Sequence, residues 1–97
     1  KEESQRLQME HLKNIIRLAE EGVLVLAGPF MSNDQDIRGI YIFDVTTVEE
    51  AKKLTETDPA IQAGVLVMEL IPWYGSAALM ELNDIHKKIQ KISITDQ

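Results

Sequence analysis

Two residues of the sequence, His11 and Asp58, have side chains suited to moving a proton. A histidine can accept or release a proton near neutral pH, and a carboxylate bonded to one ring nitrogen holds the imidazole in a single tautomer. His11 falls within the apolar arc of a predicted helix, one turn before Ile15, and Asp58 directly precedes Pro59. If the fold brings the two side chains together, the pair predicts general acid–base chemistry.

Each of these residues also has a purely structural interpretation. A histidine on an apolar helix face is typical of a buried, neutral side chain bonded to a backbone carbonyl. An aspartate followed by a proline is a common helix start, with Asp58 as the N-cap and Pro59 at the first helical position. The sequence pattern alone leaves both interpretations open.

The composition is that of a small acidic globular domain. Its 97 residues fit one domain, 44% of them are hydrophobic, and the formal net charge is −6. Such a chain lacks the concentrated basic face that nucleic-acid binding needs, and no apolar run approaches the roughly 20 residues of a membrane span. We therefore predict no nucleic-acid partner and no membrane segment, and the compartment stays open.

The sequence also predicts no metal and no cofactor. It contains no cysteine, which removes thiolate ligands and cysteine nucleophiles. Its two histidines, His11 and His86, lie on separate predicted helices without a carboxylate at metal-ligand spacing. The five glycines are too dispersed to form a phosphate-binding loop.

Hydrophobic periodicity and turn residues predict a mixed α+β chain. Apolar residues at helical spacing, followed by Gly22, predict a helix over residues 4–21, and the polar link between two β-branched runs predicts an antiparallel hairpin. A capping box begins at Thr47. In chain order the predicted elements are helix 4–21, strand 23–27, strand 38–45, a helix from Thr47 to about Thr57, a helical turn over 59–63, strand 65–71 and helix 76–91.

This order matches a ferredoxin-like βαββαβ unit that lacks its first strand. That strand lies centrally in such a sheet, so its absence would leave backbone groups of residues 38–45 and 65–71 unpaired. We therefore expect a strand of about 5–8 residues upstream of residue 1, or one supplied by another chain. The strands are apolar on both faces, and a homodimer with facing sheets is expected to cover the face that the helices leave open. The alternative is that the last helix covers part of that face or reaches over the partner.

Several short motifs together resemble the YCII-related domain family over about residues 7–75. They are His11-Leu12, Gly22 before an apolar strand, Ala27-Gly28-Pro29-Phe30, Val48-Glu49-Glu50-Ala51, Asp58-Pro59-Ala60 with Gly64, and Ile71-Pro72-Trp73. The resemblance implies a YCII-like domain over residues 1–75, with its first strand missing, and a C-terminal helical extension over 76–97.

The resemblance also implies a fold and a site. The family is similar to the dimeric α+β barrels, a group that includes muconolactone isomerases and small cofactor-free monooxygenases. A histidine on the first helix and the aspartate of an Asp-Pro pair form the family's proposed acid–base dyad, and His11 and Asp58 stand at those positions. The resemblance supplies no substrate.

Three further residues are candidates for substrate binding. Phe30 would line a pocket beside the first helix, Arg38 would pair with an anionic group, and Trp73 would form a pocket wall. A tight turn, a solvated charge and packing against a helix or a dimer partner are the respective structural alternatives.

Two classes of function therefore remain. The first is a small cofactor-independent enzyme that uses His11 and Asp58 for isomerase, lyase or hydrolase-like chemistry on a small organic substrate. The second is a non-catalytic module on the same fold, which either binds a small ligand or only dimerises.

Overall fold

The computed structural model describes residues 2–90 and has an α+β architecture. A long helix precedes a two-stranded antiparallel hairpin, and short helical segments follow. The elements are α1 (Glu2–Glu20), β1 (Leu24–Pro29), β2 (Gly39–Phe43), α2 (Val48–Thr55), α3 (Pro59–Gln62), a 3-10 helix (Ala77–Glu81) and α4 (Leu82–Ile89).

Helix α1 confirms the predicted amphipathic helix and its stop at Gly22. The Gly22 N–H donates to the Ala19 carbonyl and the Val23 N–H donates to the Leu18 carbonyl, which is the Schellman arrangement. Gly22 has a φ of 83°, in the left-handed region that glycine adopts without strain. The termination turns the chain directly into β1, and α1 packs on β1 and on α3.

The predicted hairpin is confirmed, with β1 antiparallel to β2. The register pairs Ala27 with Tyr41 and Leu24 with Phe43, and one irregularity lies between Leu24 and Leu26. Side chains alternate along a strand, so Tyr41 and Phe43 share one face of the hairpin and Ile40 projects from the other. Two backbone hydrogen bonds continue the pairing past the ends of the strands. The Phe30 N–H donates to the Arg38 carbonyl and the Asp44 N–H donates to the Val23 carbonyl, each at 2.8 Å.

Side-chain caps begin the two helices that follow. The Thr47 hydroxyl accepts from the Glu50 N–H at 3.1 Å and opens α2, as the capping box predicts. The Asp58 carboxylate accepts from the Ala60 N–H and opens α3, with Pro59 at the first helical position. A second Schellman arrangement, at Gly64 with a φ of 76°, ends α3.

Two sequence predictions differ from the structure. Residues 65–71, predicted as a third strand, form no strand, because no other strand among residues 2–90 lies beside them to complete a ladder. The helix predicted over 76–91 begins as the 3-10 helix and becomes α-helical only at Leu82; residue 91 lies outside the described residues. Helix α4 contacts β1, and Asn83 donates to the Leu24 carbonyl at 2.9 Å.

The core lies where α1 meets β1 and α3. Leu18 and Leu24 are almost completely buried, and the buried apolar residues of α2 and α3 are alanines, Ala51 and Ala60. The buried apolar residues are Leu18, Leu24, Val25, Ala51 and Ala60. Within residues 2–90, none of the helices combines the length and the apolar character that crossing a bilayer would require.

Candidate active site

His11 and Asp58 lie side by side in the structure. His11 belongs to the middle of α1 and Asp58 is the N-cap of α3, so the packing of α3 on α1 brings them together across 47 positions of sequence. The His11 Nδ1 atom lies 2.5 Å from the Asp58 Oδ2 atom. The partner of the imidazole is therefore a carboxylate, not the backbone carbonyl of the structural interpretation.

The two oxygens of Asp58 serve different neighbours. Oδ1 accepts from the Ala60 N–H at 2.9 Å, and Oδ2 contacts His11. Asp58 is only 2% exposed, whereas the His11 side chain is 16% exposed. The capping interpretation of Asp58 is thus confirmed, and its geometry leaves the second oxygen available to orient a histidine that reaches solvent.

This pairing determines which ring nitrogen of His11 is free. A carboxylate only accepts hydrogen bonds, so in the neutral ring the proton lies on Nδ1 and the lone pair on Nε2. The Tyr41 hydroxyl lies 3.4 Å from Nε2, and the two rings are stacked with centroids 6.3 Å apart. The phenol is therefore placed to donate to the lone pair of Nε2.

The surroundings of Tyr41 keep its hydroxyl protonated. Burial raises the pKa of the Tyr41 phenol well above its ordinary value, and the negative charge of Asp58 raises that pKa further. The ring also makes an edge-to-face contact with Phe43, at a centroid distance of 5.8 Å. Tyr41 is thus a hydrogen-bond donor over the whole neutral range.

The raised pKa of Tyr41 predicts a loss of stability at alkaline pH. Above about pH 10 an unfolded tyrosine releases its proton while the folded Tyr41 keeps it, so the free energy of unfolding falls as the pH rises. We expect the free energy of unfolding, measured with urea between neutral and strongly alkaline pH, to fall less steeply with pH in Tyr41→Phe than in the wild type. Tyr74→Phe, at a fully exposed position, is the matched control. Equal slopes for the wild type and Tyr41→Phe would contradict this origin of the shift.

A buried asparagine connects α1 to the segment before Asp58. Asn14 lies one turn after His11 and is 8% exposed. Its Oδ1 atom accepts from Arg17 at 2.9 Å and lies 3.3 Å from the Thr57 hydroxyl, while its buried Nδ2 atom has no hydrogen-bond partner among residues 2–90. The Thr57 hydroxyl lies closer to the Leu54 carbonyl, at 2.6 Å, so the contact of Asn14 with the residue next to Asp58 is the longer of the two.

The structure places Phe30 and Arg38 in a cavity that His11 and Asp58 do not line, and it shows Trp73 as an exposed side chain. Phe30 and Arg38 line an open cavity of about 360 Å³ in the loop between the strands, and neither His11 nor Asp58 lines it. The Arg38 side chain is 76% exposed and pairs with Asp36 at 3.4 Å. Trp73 is 64% exposed. Their part in substrate binding stays a prediction.

A second cavity of similar size also lies away from the pair. It lies against the last turn of α2 and residues 61–70, with Thr55, Leu66 and Leu70 among its lining residues. Among residues 2–90, no group of three or more acidic, histidine or cysteine side chains is arranged to hold a metal ion.

Sequence reasoning missed Tyr41 and Asn14. Tyr41 is one aromatic among several apolar residues of its strand, and Asn14 is one polar residue of an amphipathic helix. A sequence signal existed for Asn14 alone, because it follows His11 by three residues and so lies on the same side of α1. Only the packing of α1 on the hairpin shows that the side chains meet.

Comparison with known proteins identifies the family. Neither the curated proteins nor the solved structures contain a match to the chain. A family model, the YCII-related domain, matches residues 1–74, which is about three quarters of the sequence. These residues include both members of the pair and Tyr41, and the chain belongs to the YCII-related domain family.

Proposed function

We propose that this protein is a small cofactor-independent enzyme in which His11 transfers a proton to or from a small organic substrate. The observation that carries the proposal is the contact between His11 Nδ1 and Asp58 Oδ2, formed between a buried carboxylate and a partly exposed imidazole. This is the arrangement of a base and its orienting group.

Each partner has a distinct role in this proposal. Asp58 holds the imidazole in the tautomer with its proton on Nδ1 and stabilises the imidazolium that forms when Nε2 takes a second proton. His11 Nε2 is the atom that exchanges a proton with the substrate. General acid–base catalysis of this kind contributes about 10²–10⁴ in rate, so the positioning of the substrate must supply the rest.

Proton exchange with solvent provides a test that does not depend on the identity of the substrate. The protein is incubated in D₂O with a panel of small carbonyl compounds, lactones and esters, and ¹H NMR follows the loss of C–H signals and the appearance of hydrolysis products. We expect His11→Gln to lose at least about 10²-fold in rate on any compound that the wild type processes. The glutamine amide can still donate to Asp58, which limits the effect on the fold.

The second histidine of the chain provides the matched control. His86 is exposed on α4, and His86→Gln should retain the wild-type rate. Equal turnover by the wild type and His11→Gln would contradict the proposal, and so would a panel on which the wild type processes no compound.

Two observations favour the second class of function, a non-catalytic module. The two cavities described above do not adjoin His11 or Asp58, and Asp58 has a complete structural role as the cap of α3. In that case His11 would serve only to pair a buried carboxylate. Its replacement would then change stability and no catalytic rate.

We further propose that the fold is a ferredoxin-like dimeric α+β barrel. Within residues 2–90, β2 pairs with β1 alone, and residues 65–71 form no ladder. In a ferredoxin-like sheet one further strand would lie in space between β2 and residues 65–71, and would pair with both. Apolar side chains next to this position are exposed, including Val67 at 90% and Ile40 at 44%. A second copy of the chain is the proposed cover of the outer sheet face.

The dimer makes a separate prediction about mass. Light scattering should give twice the mass of one chain, and Ile40→Glu should give a single chain because it places a charge on the outer face of β2. Lys13→Glu, at an exposed position of α1, is the control and should remain dimeric. A wild-type protein with the mass of one chain would rule out this arrangement.

A further inference from the structure

We propose that Tyr41 is a third catalytic residue, which donates a hydrogen bond to the oxygen of an enolisable carbonyl substrate while His11 Nε2 removes a proton from the neighbouring carbon. This inference rests on the proposed function and names a substrate class for it. Tyr41 is on β2, the imidazole on α1 and the carboxylate at the start of α3, so three elements meet at this point.

The geometry puts one donor and one acceptor at the same place. The Tyr41 hydroxyl and His11 Nε2 are 3.4 Å apart, which is long for a hydrogen bond and close to the limit at which such a bond contributes. A substrate oxygen that takes the Tyr41 hydrogen bond therefore displaces a weak contact. The same displacement frees the Nε2 lone pair, so binding of the oxygen prepares the base.

The two groups match the needs of proton removal beside a carbonyl. When Nε2 takes the proton, the C–H bonding pair becomes the C=C bond of an enolate and the carbonyl π pair moves to oxygen. The negative charge thus develops on the atom that Tyr41 contacts, and a positioned donor stabilises the charge where it develops. In a β,γ-unsaturated carbonyl compound the enolate is a conjugated dienolate, and His11, now an imidazolium paired with Asp58, returns the proton to its γ-carbon. The C=C bond has then moved into conjugation with the carbonyl, so the isomerisation balances without an added oxidant or reductant.

The protonation of Tyr41 supports its role as donor. Its burial and the nearby Asp58 charge raise the pKa of the phenol, so the hydroxyl keeps its proton next to a buried carboxylate. A buried acid that stays neutral can donate to an enolate oxygen in the same manner. The contact with Phe43 fixes the ring, which limits the loss of side-chain freedom on binding.

An enolate mimic tests this assignment directly. 4-Nitrophenol in its ionised form carries its negative oxygen on an sp² carbon, as an enolate does, and its absorbance reports binding. We expect saturable binding to the wild type and a dissociation constant raised about tenfold or more in Tyr41→Phe, because a hydrogen bond to a charged oxygen is lost. Tyr74→Phe, the same change at a fully exposed position, should bind like the wild type.

The outcomes separate this inference from the proposed function. Equal affinity of the wild type and Tyr41→Phe, or no saturable binding to the wild type, would overturn the assignment of Tyr41. If His11→Gln then still abolishes exchange in D₂O, His11 remains the base and only the substrate class is wrong. If His11→Gln retains the exchange, the proposed function fails, and the inference about Tyr41 fails with it.

Discussion

Asp58→Asn is expected to remove most of the proton-transfer activity while leaving the fold nearly intact. The asparagine oxygen can still accept from the Ala60 N–H, and asparagine is as good an N-cap as aspartate. Its amide nitrogen, however, donates to His11 Nδ1, so the imidazole proton moves to Nε2 and the base is lost. We expect a rate lower by about 10²–10⁴, measured by deuterium exchange on a compound that the wild type processes.

Asp58→Ala is the informative contrast. It removes the cap of α3 and leaves the partly buried His11 without its partner, so the free energy of unfolding should fall by about 1–3 kcal/mol. Asp58→Asn should stay within about 1 kcal/mol of the wild type in urea unfolding. An asparagine variant with wild-type exchange rates would show that Asp58 serves the structure alone.

Leu18→Ala is expected to have the largest effect on stability. Leu18 has no exposed surface and lies on the face of α1 that packs into the core. Truncating a fully buried leucine costs about 2–5 kcal/mol, which is a large part of the roughly 5–15 kcal/mol that stabilises an ordinary domain. The melting temperature should therefore fall by about 10 °C or more.

A matched substitution separates core packing from helix propensity and surface effects. Lys13→Ala also introduces an alanine into α1, at an exposed position, and should change the melting temperature by no more than about 2–4 °C. A Leu18→Ala protein that melts like the wild type would show that the contact of α1 with the hairpin is not the main source of stability.

The elements that are specified locally could be predicted from the sequence. The Gly22 stop, the capping box at Thr47 and the Asp58–Pro59 start each depend on residues within about one helical turn, and the apolar stripe of α1 is a periodic pattern within a single segment. The hairpin followed from two β-branched runs joined by polar turn residues. The structure confirms all of these features.

The third predicted strand failed for a different reason. Residues 65–71 have the composition of a strand, but a strand is defined by hydrogen bonds to a neighbour. No other strand among residues 2–90 lies beside them, so the segment forms no ladder. Similarly, the 3-10 start of the last helical segment depends on packing that periodicity does not report.

The candidate site was only partly accessible from the sequence. His11 and Asp58 were identified by their residue types and by the family resemblance, and the structure places them in contact. Tyr41 was not identified, because its relevance depends on α1 packing across the hairpin face that it shares with Phe43. Phe30, Arg38 and Trp73 were chosen for their chemistry. Neither of the two cavities is lined by one of these residues together with His11 or Asp58.

The tautomer of His11 is the most direct test of the central claim. Long-range ¹H–¹⁵N NMR spectra of the ¹⁵N-labelled protein distinguish a protonated ring nitrogen from one with a free lone pair, and His86→Gln leaves His11 as the single remaining histidine. We predict a proton on Nδ1 and a free lone pair on Nε2 in the neutral ring. In Asp58→Asn the proton should lie on Nε2 and the lone pair on Nδ1. A neutral ring protonated on Nε2 in the wild type, or one that does not respond to Asp58→Asn, would contradict it.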